Sequence, residues 1–345
     1  MILQLGHIYW LSFMGLLPLL HVLSDGQFHS GEQLGANLCL SRSAVWKQVE
    51  RLRELGVEVH SVTGKGYRLP ATIDLLAREK ILEYLGEGAA AWESCFDVLF
   101  TVGSTNAEAM RLAQVGTDRY VIIAEHQTQG RGRRGRVWVS PLGANIYFSM
   151  VVSFQMGIAA LEGLSLAVAL HVVCALELEG VKGLGVKWPN DILIEGRKLA
   201  GILLEVSGDL AGPCKVVIGL GLNIRMPMSA NAQIDQPYTD LSVHSSSPPD
   251  RNKIVATLIN QLSRGLEQFN ESGFAPLQSS WDSLDVYRNN IVEVRAGSNV
   301  VEGRVLGVSN TGALVLDTSH GLKVISGGEL MPSVRPIPGG VRHDS

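Results

Sequence analysis

The chain has 345 residues, more than one hydrophobic core usually organises, so its length predicts two or three domains. Apolar residue types make up 46% and charged types 18%, which supports a sizeable core and argues against a disordered chain. The net charge of −4 does not demand nucleic acid or an anionic membrane, so any such partner must be recognised by a local patch. Four cysteines without a C-x-x-C pair argue against a disulfide framework or a zinc cluster and favour a reducing, cytoplasmic location.

Residues 8–20 are apolar apart from a few small residues. A membrane span needs about 20 apolar residues, and a signal peptide needs basic residues before its apolar core, so neither fits. The segment predicts a buried first helix, and the sequence leaves both Met1 and Met14 open as the translation start.

Residues 1–70 have the element order of a winged helix-turn-helix domain. Ser30 with Gln33 three residues later is a capping box that begins one helix, and Ser41 can cap a second helix that runs to Leu55. Alternating residues 57–62, a glycine turn and residues 67–69 predict a hairpin after these helices.

Strand and helix signals alternate through residues 72–284 and predict a central mixed α/β domain. Residues 226–249, rich in Ser, Pro, Asn and Asp, predict a mobile surface stretch. Residues 287–334 show short strands with glycine turns and predict a small β-barrel or sandwich. The predicted strands are 98–102, 120–124, 146–152, 191–194, 202–206, 216–224, 291–295, 302–308, 313–317 and 322–326, and the long helices are 159–179 and 252–270.

Residues 130–136 alternate three glycines with four arginines and are the most informative segment. Glycine lets the backbone approach a ligand, and arginine forks onto carboxylate or phosphate oxygens, so the loop predicts a site for a small anion. The alternative is a disordered arginine–glycine tract that binds RNA, which the strand-like flanks disfavour. No Walker A loop occurs, and the third glycine of a dinucleotide fingerprint is replaced by Ile224 in residues 219–224.

Two further segments offer polar groups for a ligand. Lys187 lies before a Trp-Pro pair near a core hairpin, where a compact positive charge can stabilise a developing anion, although a surface lysine beside a turn is the alternative. Asp191 is either a magnesium ligand, helped by Asn190, or a turn residue. Residues 104–106 (Ser-Thr-Asn) provide a helix N-cap, neutral hydrogen-bonding groups for a polar ligand, or both.

Residues 104–106, 130–136, 187–191, 197–202 and 219–224 together resemble biotin–protein ligases of the bifunctional ligase/repressor family. Residues 28–35 and 64–67 resemble the DNA-binding domain of that family. The resemblance implies a multidomain α/β (α+β) fold: an N-terminal winged helix-turn-helix, a central domain of the biotin/lipoate ligase type, and a C-terminal SH3-like β-barrel. It also implies a two-step reaction, in which biotin and ATP with Mg²⁺ give biotinyl-5′-AMP, and a lysine of a carrier domain then takes the biotin.

The resemblance also assigns roles to individual residues. Lys187, Arg131 and Arg133 are assigned to charge stabilisation during catalysis, and Asp191 is assigned to a metal contact. Adenylate contacts fall to Arg133, Arg136, Trp138, Asn190, Asn223 and Tyr238. Biotin contacts fall to Ser104, Thr105, Asn106, Gln127, Gly130, Arg131, Gly132, Arg133, Lys187, Gly219 and Gly221.

The implied partners are the biotin carboxyl carrier protein of acetyl-CoA carboxylase, operator DNA of biotin genes, and a second copy of the chain when biotinyl-5′-AMP is bound as corepressor; no membrane partner is implied. Residues 1–70 hold six Lys/Arg and five Asp/Glu, a net +1, so a dimer on two half-sites is expected. Alternatives are a ligand-sensing repressor without catalysis, a lipoate ligase, and a relic DNA-binding domain. The predicted DNA contacts are Ser41, Arg42, Ser43, Lys47, Arg51 and Lys65.

Overall fold

The computed structural model describes residues 16–70, 73–209, 212–245, 247–296, 299–326 and 333–336. The first helix, α1 (Leu16–Leu23), buries Leu16, Leu19, Leu20 and Leu23, so a buried helix is confirmed for the part of the apolar segment that is described. Residues 8–15 of that segment lie outside the described residues. Among the described helices, none is long and apolar enough to cross a membrane.

The helix-turn-helix unit forms as predicted. Ser30 Oγ accepts a hydrogen bond from Gln33 N at 3.1 Å while Gln33 Oε1 accepts one from Ser30 N at 2.9 Å, which is the predicted capping box. Ser41 Oγ accepts from Ala44 N at 3.2 Å and caps the next helix. The elements after α1 are α2 (Gly31–Leu38), α3 (Arg42–Glu54), β1 (His60–Val62) and β2 (Gly66–Arg68).

The predicted first strand of the hairpin is too long at its start. Val57 and Val59 are buried in the core of this domain without strand pairing. Arg53 explains part of the difference, because its Nη2 donates to Val59 O at 2.7 Å and to Ser61 Oγ at 2.6 Å. These bonds tie α3 to the hairpin that forms the wing.

The central domain is a seven-stranded sheet with the order β3-β4-β5-β9-β8-β7-β6, in which only the β3–β4 pair is parallel. Its strands are β3 (Phe96–Val102), β4 (Arg119–Gln127), β5 (Ile146–Phe154), β6 (Leu184–Lys187), β7 (Asp191–Ile194), β8 (Arg197–Gly208) and β9 (Cys214–Leu222). Its helices are α4 (Arg78–Leu85), α5 (Thr105–Gln114), α6 (Leu164–Leu178), α7 (Arg251–Ser272) and α8 (Gln278–Leu284).

Strand alternation separates the two faces of this sheet. On β9, Val216, Ile218 and Leu220 belong to the main core, which also contains the apolar faces of α6 and α7. Val217 instead packs with Ala109 of α5 in a smaller cluster on the other face. Beyond Val217 the next residues on that face are glycines 219 and 221, so the sheet is bare there.

Two predicted segments differ from the structure. The long helix over residues 159–179 is broken into a 3-10 turn (Ile158–Leu161) and α6, because Gly163 adopts φ 79° and packs against Phe274. The stretch 226–249 is not all surface, since Thr239, Asp240 and Leu241 are buried.

A buried polar network holds the chain that connects the first two domains. Glu125 on β4 accepts from Leu76 N at 2.5 Å and from Arg251 Nη2 at 2.8 Å. Arg251 also donates to Asp74 O at 2.9 Å and to Asn145 O at 2.6 Å. Mutual pairing offsets the cost of burying these charges.

The C-terminal part is a five-stranded antiparallel sheet with the order β13-β12-β11-β10-β14. Its apolar residues join the main core, and Trp188 Nε1 in the central domain donates to Gly312 O at 3.0 Å. The predicted small β-domain is confirmed, with an additional strand at its end. Its strands are β10 (Ile291–Ala296), β11 (Asn299–Val308), β12 (Leu314–Thr318), β13 (Gly321–Ile325) and β14 (Ser333–Pro336).

Candidate active site

A cavity of about 670 Å³ lies over the bare, glycine-containing face of the sheet. Gly130 lies behind its wall, where an added Cβ would collide with Trp138 O. The structure thus brings together residues from five separate segments of the sequence. The other predicted ligand-binding residues line the cavity: Ser104, Thr105, Asn106, Gln127, Arg131, Gly132, Arg133, Arg136, Trp138, Lys187, Asn190, Asp191, Gly219, Gly221, Asn223 and Tyr238.

Glycines on β8 and β9 create a shallow slot in the sheet. Gly201 and Gly221 are register partners, and the Trp138 indole lies across both of them. A Cβ at Gly221 would collide with this indole, and a Cβ at Gly219 would collide with the Asn106 amide. Side chains can therefore approach the backbone here because these positions lack a Cβ.

One end of the cavity is formed by neutral side chains that bond to one another. Gln127 Oε1 accepts from Thr105 N at 2.9 Å and from Thr105 Oγ1 at 3.1 Å. Gln127 Nε2 donates to Ser140 Oγ at 3.0 Å. Ser104 occupies the N-cap position of α5, but its side chain makes no capping hydrogen bond, so the predicted cap is only partly realised.

Asn106 is fixed by residues that the sequence did not single out. Its Oδ1 accepts from Ser149 Oγ at 2.6 Å, and its Nδ2 donates to Glu205 Oε2 at 2.9 Å. Ser149 and Glu205 lie on strands β5 and β8, and no local signal links them to residue 106. Thr105, Asn106, Gln127 and Ser149 are all buried, and we call this group the neutral end of the cavity.

The arginine–glycine loop is a small hairpin over the cavity. Arg131 pairs with Val137, and Gly132 N donates to Arg136 O at 2.7 Å. Arg134 also lines the cavity; it adopts φ 57° at the tip, and its Nη2 donates to Arg295 O in the C-terminal sheet at 3.3 Å. Arg131 is 3.9 Å from Glu205, a loose ion pair.

Arg133 points back into the cavity. Its Nη1 donates to Asn190 Oδ1 at 2.7 Å, and Asn190 Nδ2 donates to Ile202 O at 2.8 Å. Burial lowers the pKa of Arg133 to about 10, so the guanidinium keeps its charge at neutral pH.

Two lysines and one carboxylate lie in the same part of the cavity as Arg133. Lys187 on β6 is the register partner of Asp191 on β7. Lys198, absent from the predicted site, places Nζ 2.8 Å from Asp191 Oδ1 and 5.4 Å from the centre of the Trp138 ring. The sequence signal that could have identified Lys198 is its position at the start of strand β8, just after the turn from β7. Arg131, Arg133, Lys187 and Lys198 form the cationic end of the cavity. The two ends adjoin at Glu205, which is 3.9 Å from Arg131 and accepts a hydrogen bond from Asn106.

The segment after β9 closes one side of the cavity. Tyr238 forms a backbone bridge with Lys198, which brings the phenol ring beside the cationic end. Asn223 Nδ2 donates to Thr239 O at 3.0 Å, so the Asn223 amide holds this segment against the sheet. The phenol of Tyr238 also donates to Asn231 Oδ1.

The predicted DNA contacts are all exposed residues of the first domain. Arg42, Ser43, Lys47 and Arg51 are exposed on α3, and Lys65 is exposed in the turn of the wing. Ser41 is also exposed, but its hydroxyl oxygen accepts the capping bond at the start of α3.

Comparisons with known proteins agree with this three-part organisation. Residues 16–68 match a helix-turn-helix domain model, residues 100–223 match the biotin/lipoate A/B protein ligase family, and residues 289–330 match the biotin protein ligase C-terminal domain. The bifunctional ligase/repressor BirA of Escherichia coli K12 is 40% identical over 315 residues, 91% of this chain and 96% of that protein. The chain belongs to the bifunctional ligase/repressor family. Its fold class is therefore confirmed.

Further members and structures extend the comparison. BirA of Bacillus subtilis is 31% identical over 88% of this chain and 93% of that protein. The Aquifex aeolicus biotin protein ligase, solved in complex with biotin and ATP, superimposes with a TM-score of 0.61 at 28% identity. That match covers 70% of this chain and 99% of the Aquifex chain. As a family member the chain is an enzyme, and the catalytic interpretation is favoured over a repressor without catalysis.

Proposed function

We propose that the cavity joins biotin to AMP and that the chain then passes biotin to a lysine of a biotin carboxyl carrier domain. The division of the cavity into a neutral end and a cationic end carries this proposal. Biotin has an uncharged ureido ring at one end and a carboxylate at the other, so it matches both ends at once. Ser104, Thr105, Asn106 and Gln127 supply neutral donors and acceptors for the ring, and glycines 219 and 221 let the Asn106 amide and the Trp138 indole lie against the sheet beside it.

The cationic end suits the first step of the reaction. A biotin carboxylate oxygen attacks the α-phosphorus of ATP, the bond to the β-phosphate oxygen breaks, and pyrophosphate leaves. Two anions must approach each other, so Lys187, Arg131 and Arg133 would lower the barrier by neutralising charge on the phosphate oxygens. Gly132 and Gly130 let the hairpin lie close over the ligand.

In the second step the neutral amine of the carrier lysine attacks the biotinyl carbonyl, and AMP leaves as the bond to its phosphate oxygen breaks. Biotinyl-5′-AMP is hydrolysed readily, so a hairpin that covers it protects the intermediate from water. Tyr238 beside the cationic end would pack on the adenine, with Asn190, Asn223, Arg136 and Trp138 supporting the nucleotide side.

Magnesium fits this cavity as a companion of the nucleotide. The described residues contain no group of three His, Cys, Asp or Glu side chains that would hold a metal, and Asp191 is already paired with Lys198. Mg²⁺ usually keeps several waters and uses one or two carboxylates plus substrate phosphates, so Asp191 would be its protein contact. When bound, the ion would offset charge on the triphosphate.

The first domain would bind operator DNA of biotin genes when the chain is loaded with biotinyl-5′-AMP and dimeric. This part is supported by the family and by the exposed cations of α3. The carrier protein would be that of acetyl-CoA carboxylase, and the four free thiols fit a cytoplasmic location.

A labelling assay tests the ligase. The purified chain, Mg-ATP, biotin and a carrier domain are mixed, and biotin on the carrier is detected with streptavidin. Lys187→Ala should reduce labelling by on the order of 100-fold or more, since one lost charge-stabilising group costs that much. Lys182→Ala is the matched control, because Lys182 is exposed just before β6 and outside the cavity. Equal labelling by the two variants would contradict the proposal.

A further inference from the structure

We propose that Trp46 is a specificity-determining residue that contacts a base edge in duplex DNA. The indole is 53% exposed on α3, the second helix of the helix-turn-helix pair. Single exposed apolar residues are common on protein surfaces, so the position of Trp46 on the helix carries more weight than its exposure. The inference rests on the DNA-binding function proposed above.

Helix geometry places Trp46 on the rim of the exposed face. Val45, Val49 and Leu52 are buried and fix the inner side of α3. Trp46 lies about 100° around the helix axis from Val45. Residues three and four apart are surface neighbours on a helix, so its ring borders Ser43 and Arg42 in the first turn.

The charges around Trp46 favour a polyanion over a protein surface of mixed charge. Residues 42–49 of α3 contain Arg42 and Lys47 and no acidic residue. Glu50, four residues after Trp46, is a surface neighbour by the same spacing, and its charge is offset by Arg53 at 2.5 Å. In helix-turn-helix proteins the amino-terminal part of this helix contacts the bases.

The chemistry of an indole limits which groups of a base pair it can recognise. Apolar side chains in the major groove contact the methyl group of thymine, whereas lysine and arginine also reach phosphates. Trp46 would therefore discriminate at one base pair of each half-site, while Lys47 would contribute affinity for any sequence.

Selection from a pool of randomised DNA duplexes tests this assignment. The full chain with biotin and Mg-ATP is compared with Trp46→Ala, Trp46→Phe and Lys47→Ala, and Leu178→Ala, another exposed apolar truncation at 65% exposure, is the control. Trp46→Ala should lose on the order of ten-fold preference at one base pair of each half-site, because a good base contact supplies that much discrimination. Trp46→Phe should keep part of the preference. Lys47→Ala should weaken all sequences alike and lower the salt dependence of binding by about one ion.

The other outcomes are decisive as well. An unchanged selected motif and unchanged affinity in Trp46→Ala would overturn the role of Trp46 and leave the repressor function standing. A wild-type chain that enriches no sequence would overturn both. If Trp46→Ala changes the sedimentation of the loaded chain but not its base preference, the indole contacts protein, and the assignment is wrong. Carrier labelling should be equal in all variants and shows that the catalytic domain of each is folded.

Discussion

The neutral end and the cationic end of the cavity are built in opposite ways. At the neutral end, Thr105, Asn106, Gln127 and Ser149 are buried and bond to one another across two strands and a helix. At the cationic end, two of the four cations stand on a hairpin loop, and Arg131 is half exposed. A rigid neutral end selects a ligand by shape and hydrogen bonding, whereas a loop of cations stabilises charge that develops during reaction. Substitutions at the cationic end should therefore slow the reaction, whereas substitutions at the neutral end should weaken biotin binding.

The largest effect is expected from Arg133→Gln at the cationic end. The variant loses a charge that lies within the cavity and the bond to Asn190. The rate of biotin-dependent pyrophosphate release should fall by on the order of 100-fold, while the Kd for biotin changes only a few-fold. Arg134→Gln is the control, because it removes an equal charge from the same hairpin, but that guanidinium donates to Arg295 O and not to Asn190. A similar loss in both variants would mean that the hairpin only needs net charge.

A smaller effect, on biotin binding and not on the reaction rate, is expected from Gly219→Ala at the neutral end. The new Cβ would collide with the Asn106 amide, which is held on its other sides by Ser149 and Glu205. Displacing it should weaken biotin binding by on the order of 10- to 100-fold. Calorimetric titration with biotin measures this, and Gly103→Ala, where an added Cβ meets nothing within 4 Å, is the control. Unchanged affinity would remove Asn106 from the biotin site.

The smallest effect concerns pH and His126, the neighbour of Gln127. Its Nδ1 is buried without a hydrogen-bond partner, and burial lowers the pKa to about 4 from the usual 6.5. Between these values the unfolded chain binds a proton that the folded chain does not, so His126 lowers stability as the pH falls from 6.5 toward 4 and contributes nothing above 6.5.

His126→Gln removes this penalty. Relative to wild type, the variant should gain about 1–2 kcal/mol in free energy of unfolding at pH 5 compared with pH 7.5. Urea denaturation at both pH values measures the difference. Burial raises the pKa of Asp285 to about 6, which has the opposite sign, but this contribution is common to both chains and cancels. A difference that does not vary with pH would contradict the buried, neutral state of His126.

Local chemistry explains what the sequence could predict. Capping by Ser30 and Ser41, the strand predicted over residues 216–224 and the arginine–glycine loop are encoded by neighbouring residues, and all of them form. Contacts that depend on which strands pair could not be predicted from the sequence. Ser149 and Glu205 reach Asn106, and Lys198 reaches Asp191, only because β5, β9, β8 and β7 lie side by side.

The predicted lengths of helices and strands were wrong where tertiary packing overrides local preference. The apolar run over residues 159–179 reads as one helix, yet Gly163 packs against Phe274 and breaks it. Residues 239–241 lie in a polar stretch but are buried. Asp240 can be buried because it accepts hydrogen bonds from Met226 N and Ser242 N. Strand β6 is only four residues long and includes Gly185, so it carries little signal.

The most direct test of the division between the two ends is a paired measurement on Lys187→Ala without any carrier domain. Biotin binding is measured by calorimetry, and biotinyl-5′-AMP formation is followed by single-turnover chromatography. We predict that the Kd for biotin stays within a few-fold of wild type while adenylate forms on the order of 100-fold more slowly. Parallel loss of biotin binding and adenylate formation would show that Lys187 serves binding, and the proposed separation of the two ends would be wrong.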